Sequence, residues 1–111
     1  MPLHAELEEI IQIQAEMMKT FSHPARLRIL KAVCQKEHSA AEILALTHLS
    51  KTNLSQHMKQ LVGSGIVSSR KEGVQVFYRV SNPKVSKACQ LMQEIALEIL
   101  VQKTKILNRI K

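Results

Sequence analysis

The sequence has few aromatic residues, few cysteines and no long apolar run. Two Phe, one Tyr and no Trp among 111 residues leave an aliphatic core as the only option. Cys34 and Cys89 are too few for a disulfide scaffold and indicate cytosolic thiols. No apolar run approaches the ~18 residues of a membrane span, and acids occupy the N-terminal region where a signal peptide is basic. We therefore expect one cytoplasmic domain, residues 1–111, with no membrane partner.

The patterns of common enzymes and metal sites are also missing. With three glycines, the chain has neither a glycine-rich phosphate loop nor a nucleophile elbow, and no carboxylates pair in an apolar setting. The histidines are dispersed and lack the spacing of a tetrahedral zinc site. These five are His4, His23, His38, His48 and His57. The sequence thus predicts no enzyme, no metal and no cofactor.

Positive charge is concentrated in the middle of the chain. Lys and Arg total 16 against 9 acids, a net charge of +7. Residues 51–87 contain seven bases and one acid, whereas residues 1–50 contain five bases and six acids. Such a local excess favours a polyanionic partner, and nucleic acid is the common one.

Apolar spacing and capping residues predict four helices in the first 63 residues. Apolar residues from Leu3 to Met18 recur every three or four positions, which is typical of an amphipathic helix. Pro24 suits the first turn of a second helix. Ser39 and Glu42 have capping-box spacing, and Ser50 is a good N-cap for a fourth helix. Residues 39–62 are therefore predicted to form a helix-turn-helix.

The spacing of the apolar residues then changes from the helical period to the alternation that is typical of strands. We expect strands at 66–71 and 74–80, joined by a turn at Glu72-Gly73, so that 66–80 form a hairpin wing. Asn82-Pro83 begins a last long helix. The predicted order is α-α-α-α-β-β-α, mainly helical with a small β-hairpin wing, a winged helix-turn-helix.

Both terminal helices, 1–20 and 83–111, present apolar stripes too long for a small domain to bury. The last helix has a heptad-like seam at Val85, Cys89, Met92, Ala96, Ile99, Lys103, Ile106 and Ile110. We expect a homodimer through these helices. The candidate interface residues are Leu7, Ile10, Ile11, Val85, Cys89, Met92, Ala96 and Ile99.

The fourth helix has the composition of a recognition helix. With Leu54, Met58 and Leu61 inward, the helical wheel turns small polar and basic side chains outward, where they can read base edges or contact phosphates. His57 lies toward the buried edge, where packing or a phosphate contact is favoured over base reading. The candidate DNA-binding residues are Ser50, Lys51, Thr52, Asn53, Ser55, Gln56, His57, Lys59, Arg70, Lys71 and Gln75.

Three stretches resemble the ArsR/SmtB family of winged-helix repressors. Residues 22–30 (SHPARLRIL) resemble its second-helix signature, and residues 49–61 (LSKTNLSQHMKQL) its recognition helix. Residues 70–79, from RKEG to FYR, are similar to its wing. The resemblance implies a homodimeric bacterial repressor of an imperfectly palindromic DNA operator, released by an inducer that the sequence does not identify.

The sequence departs from the sensor motifs of that family. Residues 40–44 contain no cysteine, and the last helix contains no histidine, so the family's common metal ligands are missing. Some members sense oxidants or reactive sulfur through a thiol pair on the second and last helices, and Cys34 and Cys89 lie on those elements. A packing role for both cysteines, a protein-interaction module without DNA binding and an RNA-binding module remain as alternatives. A metal site completed across the dimer also stays open.

Overall fold

The computed structural model describes residues 4–110 and their side chains through residue 109. The elements are α1 (His4–Phe21), α2 (Pro24–Gln35), β1 (His38–Ser39), α3 (Ala40–Thr47), α4 (Lys51–Gly63), β2 (Val67–Glu72), β3 (Gln75–Val80) and α5 (Pro83–Ile110). The three strands form one antiparallel sheet in the order β1-β3-β2. The predicted class, a mainly helical winged helix-turn-helix, is confirmed. Leu3 and the side chain of Ile110, which were assigned to the apolar stripes, lie outside the described residues.

Capping residues place the helix starts where the sequence predicts them. His23 Nδ1 accepts from the Ala25 N–H at the start of α2, 3.1 Å away. Ser39 and Glu42 complete a reciprocal capping box at α3, and the Ser50 hydroxyl accepts from the Asn53 N–H at α4. Each cap satisfies a backbone group that the first helical turn leaves unpaired. The first turn of α4 is thus stabilised at Lys51, directly after its cap Ser50.

The sheet differs from the predicted hairpin in two respects. A two-residue strand, β1, pairs with β3 through His38 opposite Tyr78 and Ser39 opposite Phe77, so the predicted order lacked one strand. The turn lies at residues 73–74, one position later than predicted, because Glu72 pairs with Gln75. Gly73 has φ +64°, which glycine adopts without the strain of a side chain.

The core lies under the helix-turn-helix. Ile29, Leu30 and Val33 of α2 meet Ile43 of α3 and the β2 end of the sheet. From α4, Leu54, Met58 and Leu61 are buried in this cluster, which confirms the inward stripe predicted for that helix. Because these three side chains fix one side of α4, its other side must face outward.

The terminal helices contribute little to that core. No residue of α1 is buried, and α5 is exposed throughout residues 90–109. Val85 and Cys89 are half-buried within the chain, and Val85 packs against the core. The remaining predicted interface residues are exposed, namely Leu7, Ile10, Ile11, Met92, Ala96 and Ile99. Among the described residues, no helix is long and apolar enough to cross a bilayer.

Candidate nucleic-acid interface

The outward face of α4 carries exposed polar and basic side chains. Seven of the predicted DNA-binding residues are exposed there, namely Ser50, Lys51, Thr52, Asn53, Ser55, Gln56 and Lys59. Hydroxyl and amide groups both donate and accept hydrogen bonds, and the two lysines supply positive charge. The capped N-terminal half of the helix holds five of these residues, and that half enters the groove in helix-turn-helix proteins.

The wing lies beside this helix face. Lys51 and Ser55 of α4 line one groove together with Val74 and Gln75 at the tip of the hairpin. Lys71 and Gln75 are exposed, as a surface contact requires. The structure therefore brings three of the predicted residues, Lys51 and Ser55 of α4 and Gln75 of the wing, to one groove. Val74 at the tip is fully exposed and was not among the predicted contacts.

His57 sits apart from the exposed strip. Its ring is half-buried, 4.4 Å from the ring of His23 between centroids. Its Nδ1 accepts from Arg26 Nε at 3.3 Å, and Arg26 also donates to the Thr20 carbonyl. His57 thus links α4 to the start of α2, which agrees with the packing role considered from the sequence.

Burial lowers the pKa of His57 below its ordinary value of 6.5, and the nearby His23 and Arg26 lower it further. As the pH falls, the histidine is therefore protonated near pH 6.5 in the unfolded chain but only at a lower pH in the folded chain. The contribution of neutral His57 to the free energy of unfolding is fully present above pH 6.5. It is lost as the pH falls from there through the pKa of His57 in the folded state. We expect urea unfolding at fixed protein concentration to show a drop from pH 7 to pH 5 that shrinks in His57→Asn.

The matched control is His48→Asn. His48 is exposed at the C-cap of α3 with φ +58°, a conformation that asparagine tolerates. This variant should keep the full pH dependence of the parent. An equal drop in parent and His57→Asn would contradict the assignment to His57.

Arg70 has a different environment from the one expected of a phosphate contact. Its Nε and Nη2 donate to the two carboxylate oxygens of Glu37 at 2.9 and 2.7 Å, and Nη1 donates to Glu72 at 2.9 Å. The guanidinium carbon lies 4.5 Å from the centre of the Phe77 ring. Glu37 was not a predicted site residue, because 33 positions separate it from Arg70 and no local pattern connects them.

The two cysteines come together. The Cys89 thiol interacts with that of Cys34, and Ser86 of α5 donates to the Cys34 carbonyl at 3.3 Å. Burial raises the pKa of Cys89, and the neighbouring Cys34 raises it further. The two thiols are thus neighbours, and the surroundings of Cys89 oppose its ionisation to a thiolate. Within residues 4–110, no cluster of three or more His, Cys, Asp or Glu side chains could hold a metal ion.

Comparison with known proteins agrees with this geometry. The family model of bacterial regulatory proteins of the arsR family matches residues 23–69, from the start of α2 into β2. A biofilm growth-associated repressor of Agrobacterium fabrum is 35% identical over 81 residues, which are 73% of this chain and 69% of the relative. An HTH-type transcriptional regulator of Mycobacterium tuberculosis is 28% identical over 107 residues, 96% of this chain and 94% of the relative.

A solved structure shows the same architecture. The solution structure of a homodimeric winged helix-turn-helix DNA-binding domain from Mycobacterium bovis superposes with a TM-score of 0.76 at 28% identity. The match covers 84% of this chain and 86% of that domain. The resemblance noted in the sequence is confirmed, and the chain belongs to the arsR family of bacterial regulatory proteins.

Proposed function

We propose that the protein is a homodimeric repressor of transcription that binds double-stranded DNA through α4 and the β2–β3 wing. The observation that carries this proposal is the outward polar face of α4. The opposite side of α4 is anchored in the core by Leu54, Met58 and Leu61, and the tip of the wing lies in one groove with Lys51 and Ser55. A helix held in this way presents its N-terminal residues to the major groove while the wing contacts the neighbouring backbone.

The terminal helices support the dimer. Large apolar side chains of α1 and α5 are exposed in the single chain, for example Ile10 at 48% and Met92 at 64%. Their burial against a second copy removes apolar surface from water, at roughly 25 cal/mol per Å². The Mycobacterium bovis domain is itself homodimeric. A two-fold dimer reads an imperfect palindrome whose half-sites are about 10–10.5 bp, or a multiple of this, apart.

The exposed residues of α4 and the half-buried rings of the sheet disfavour the other functions. A protein-interaction module would present an apolar or acidic face on α4, but that face carries Thr52, Gln56 and Lys59. An RNA-binding module would expose aromatic rings for stacking, whereas Phe77 and Tyr78 are half-buried in the sheet. The arsR family consists of regulatory proteins, so the proposal includes no catalysis, and the protein acts in the cytoplasm, where its operator is.

Selection of bound sequences from a random duplex pool tests the proposal. We expect an enriched palindrome whose affinity falls with salt, each neutralised phosphate contributing about −0.9 to the slope of log K against log salt. Lys51→Gln or Lys59→Gln should each flatten that slope by about 1.8 per dimer if the lysine contacts one phosphate in each half-site. A pool without enrichment, or an affinity independent of salt, would exclude this function.

The thiol pair yields a separate prediction about the signal. A disulfide would join the neighbouring thiols of Cys34 and Cys89, but it requires a thiolate to start the reaction, which the raised pKa of Cys89 disfavours. We therefore expect peroxide and polysulfide to leave operator binding unchanged in the parent and in Cys89→Ser alike, because both thiols serve packing. Release of DNA from the parent but not from Cys34→Ser or Cys89→Ser would show that the pair is the sensor.

A further inference from the structure

The ion pair between Arg70 and Glu37 crosses the whole sheet. Arg70 on β2 is paired with Phe77 on the central strand β3, and Phe77 is paired with Ser39 on β1. Glu37 lies immediately before β1, in the segment that leads from α2 into the helix-turn-helix. The Arg70 side chain therefore passes over the Phe77 ring, and the Arg70 and Glu37 side chains together bridge the central strand.

Three of the five N–H donors of Arg70 are engaged within the chain, although the side chain is 49% exposed. All three guanidinium nitrogens donate to carboxylates, and the face of the group lies over an aromatic ring. The hydrogen bonds from Arg70, together with its charge, lower the pKa of Glu37 below its ordinary value, so this carboxylate is ionised at neutral pH. Lys71, the next residue, is exposed and has no ion pair among the described residues. Two adjacent bases of the wing thus have different surroundings.

We propose that Arg70 and Glu37 form a brace that sets the position of the wing relative to α4, and that Arg70 is a positioning residue, not a phosphate ligand. This inference rests on the proposed DNA-binding function. The brace joins β2 to the segment before the helix-turn-helix, on the side of the sheet where β1 pairs with β3 through two residues. Lys71 is then the base of β2 that contacts the backbone of DNA.

The direction in which one substitution changes the affinity for DNA distinguishes the brace from a simple charge effect. Removal of a carboxylate from a protein that binds a polyanion should raise affinity, because it removes repulsion. If Glu37 instead holds the wing in place, Glu37→Gln should weaken binding although the protein becomes more positive. The brace and the charge effect therefore predict opposite outcomes for the same variant.

The experiment measures binding of the full-length protein to a fluorescent duplex recovered from the random pool, over a range of salt. Glu37→Gln and Arg70→Gln should each weaken binding roughly three- to tenfold, since both wings of the dimer lose a surface ion pair. The double variant should bind DNA no more weakly than the weaker-binding of the two single variants, because both changes remove the same ion pair. Glu94→Gln, which removes the same charge from exposed α5, is the control for net charge and should not weaken binding.

The salt slope distinguishes positioning from direct contact. Arg70→Gln should keep the parental slope of log K against log salt, whereas Lys71→Gln should flatten it by about 1.8 per dimer. Tighter binding by Glu37→Gln, or a slope in Arg70→Gln as flat as that in Lys71→Gln, would overturn the brace.

Hydrogen exchange tests the brace without DNA. In Glu37→Gln and Arg70→Gln, amides of residues 67–80 should exchange faster while those of α2 and α4 stay as in the parent. Unchanged exchange in the hairpin would also overturn the inference. A parent that binds no duplex would refute the proposed function alone, and the exchange result would still decide whether the brace exists.

Discussion

Ile99→Glu is expected to convert the protein into monomers and to reduce operator affinity by more than about 100-fold, since an unpaired charge buried at an apolar interface costs several kcal/mol. Ile99 is 51% exposed in the single chain and lies on the seam of α5. A dimer would place two such charges near one axis. Sedimentation velocity at micromolar concentration, together with binding to the selected duplex, measures both effects.

The control for this substitution is Gln90→Glu. Gln90 is exposed on the same helix, on the side away from the seam, so the variant carries the same added charge. It should remain dimeric and keep most of its affinity. An Ile99→Glu protein that sediments as a dimer would show that α5 does not form the interface.

Gln56→Ala is expected to relax the base preference at one position of each half-site. The lost discrimination should be about 1–3 kcal/mol per half-site if the amide makes a bidentate contact with adenine. Gln56 is exposed on α4 between Ser55 and the half-buried His57. Affinities for the selected duplex and for its single-base variants, compared between parent and Gln56→Ala, give the change at each position.

Gln60→Ala provides the matched control. Gln60 is also exposed on α4 but lies one turn further from the N-terminal end that enters the groove. The variant should keep the parental ranking of bases. Equal preferences in the parent and in Gln56→Ala would remove Gln56 from the residues that read sequence.

The helices were predictable because their signals are local. Ser39 and Glu42 are three residues apart and Ser50 immediately precedes α4, so the residues that begin each helix are neighbours in the chain. The inward stripe of α4 follows from helical periodicity in the same way. These signals were sufficient to place the polar strip of α4 on its outer side.

The errors concern contacts between distant parts of the chain. Strand β1 has only two residues, which show no periodicity, and it exists through its pairing with β3 almost forty positions later. The Arg70–Glu37 pair is equally nonlocal, so no local pattern indicated that Arg70 forms an ion pair within the chain. The hairpin turn was misplaced by one residue because Gly73 suits either turn, and pairing of Glu72 with Gln75 decides between them.

The core lies outside the terminal helices, and this separates the residues proposed for pairing from those proposed for DNA recognition. Fully buried apolar residues lie between Ala25 and Val67, whereas α1 and residues 90–109 of α5 bury none. In the proposed dimer, the residues that select the partner copy and the residues that read the DNA sequence therefore lie in different, non-overlapping parts of the chain. A bacterium with two such regulators could keep them from forming mixed pairs by changes in the apolar stripes alone. Exchange of these helices between two regulators would then exchange their pairing while each kept its own operator.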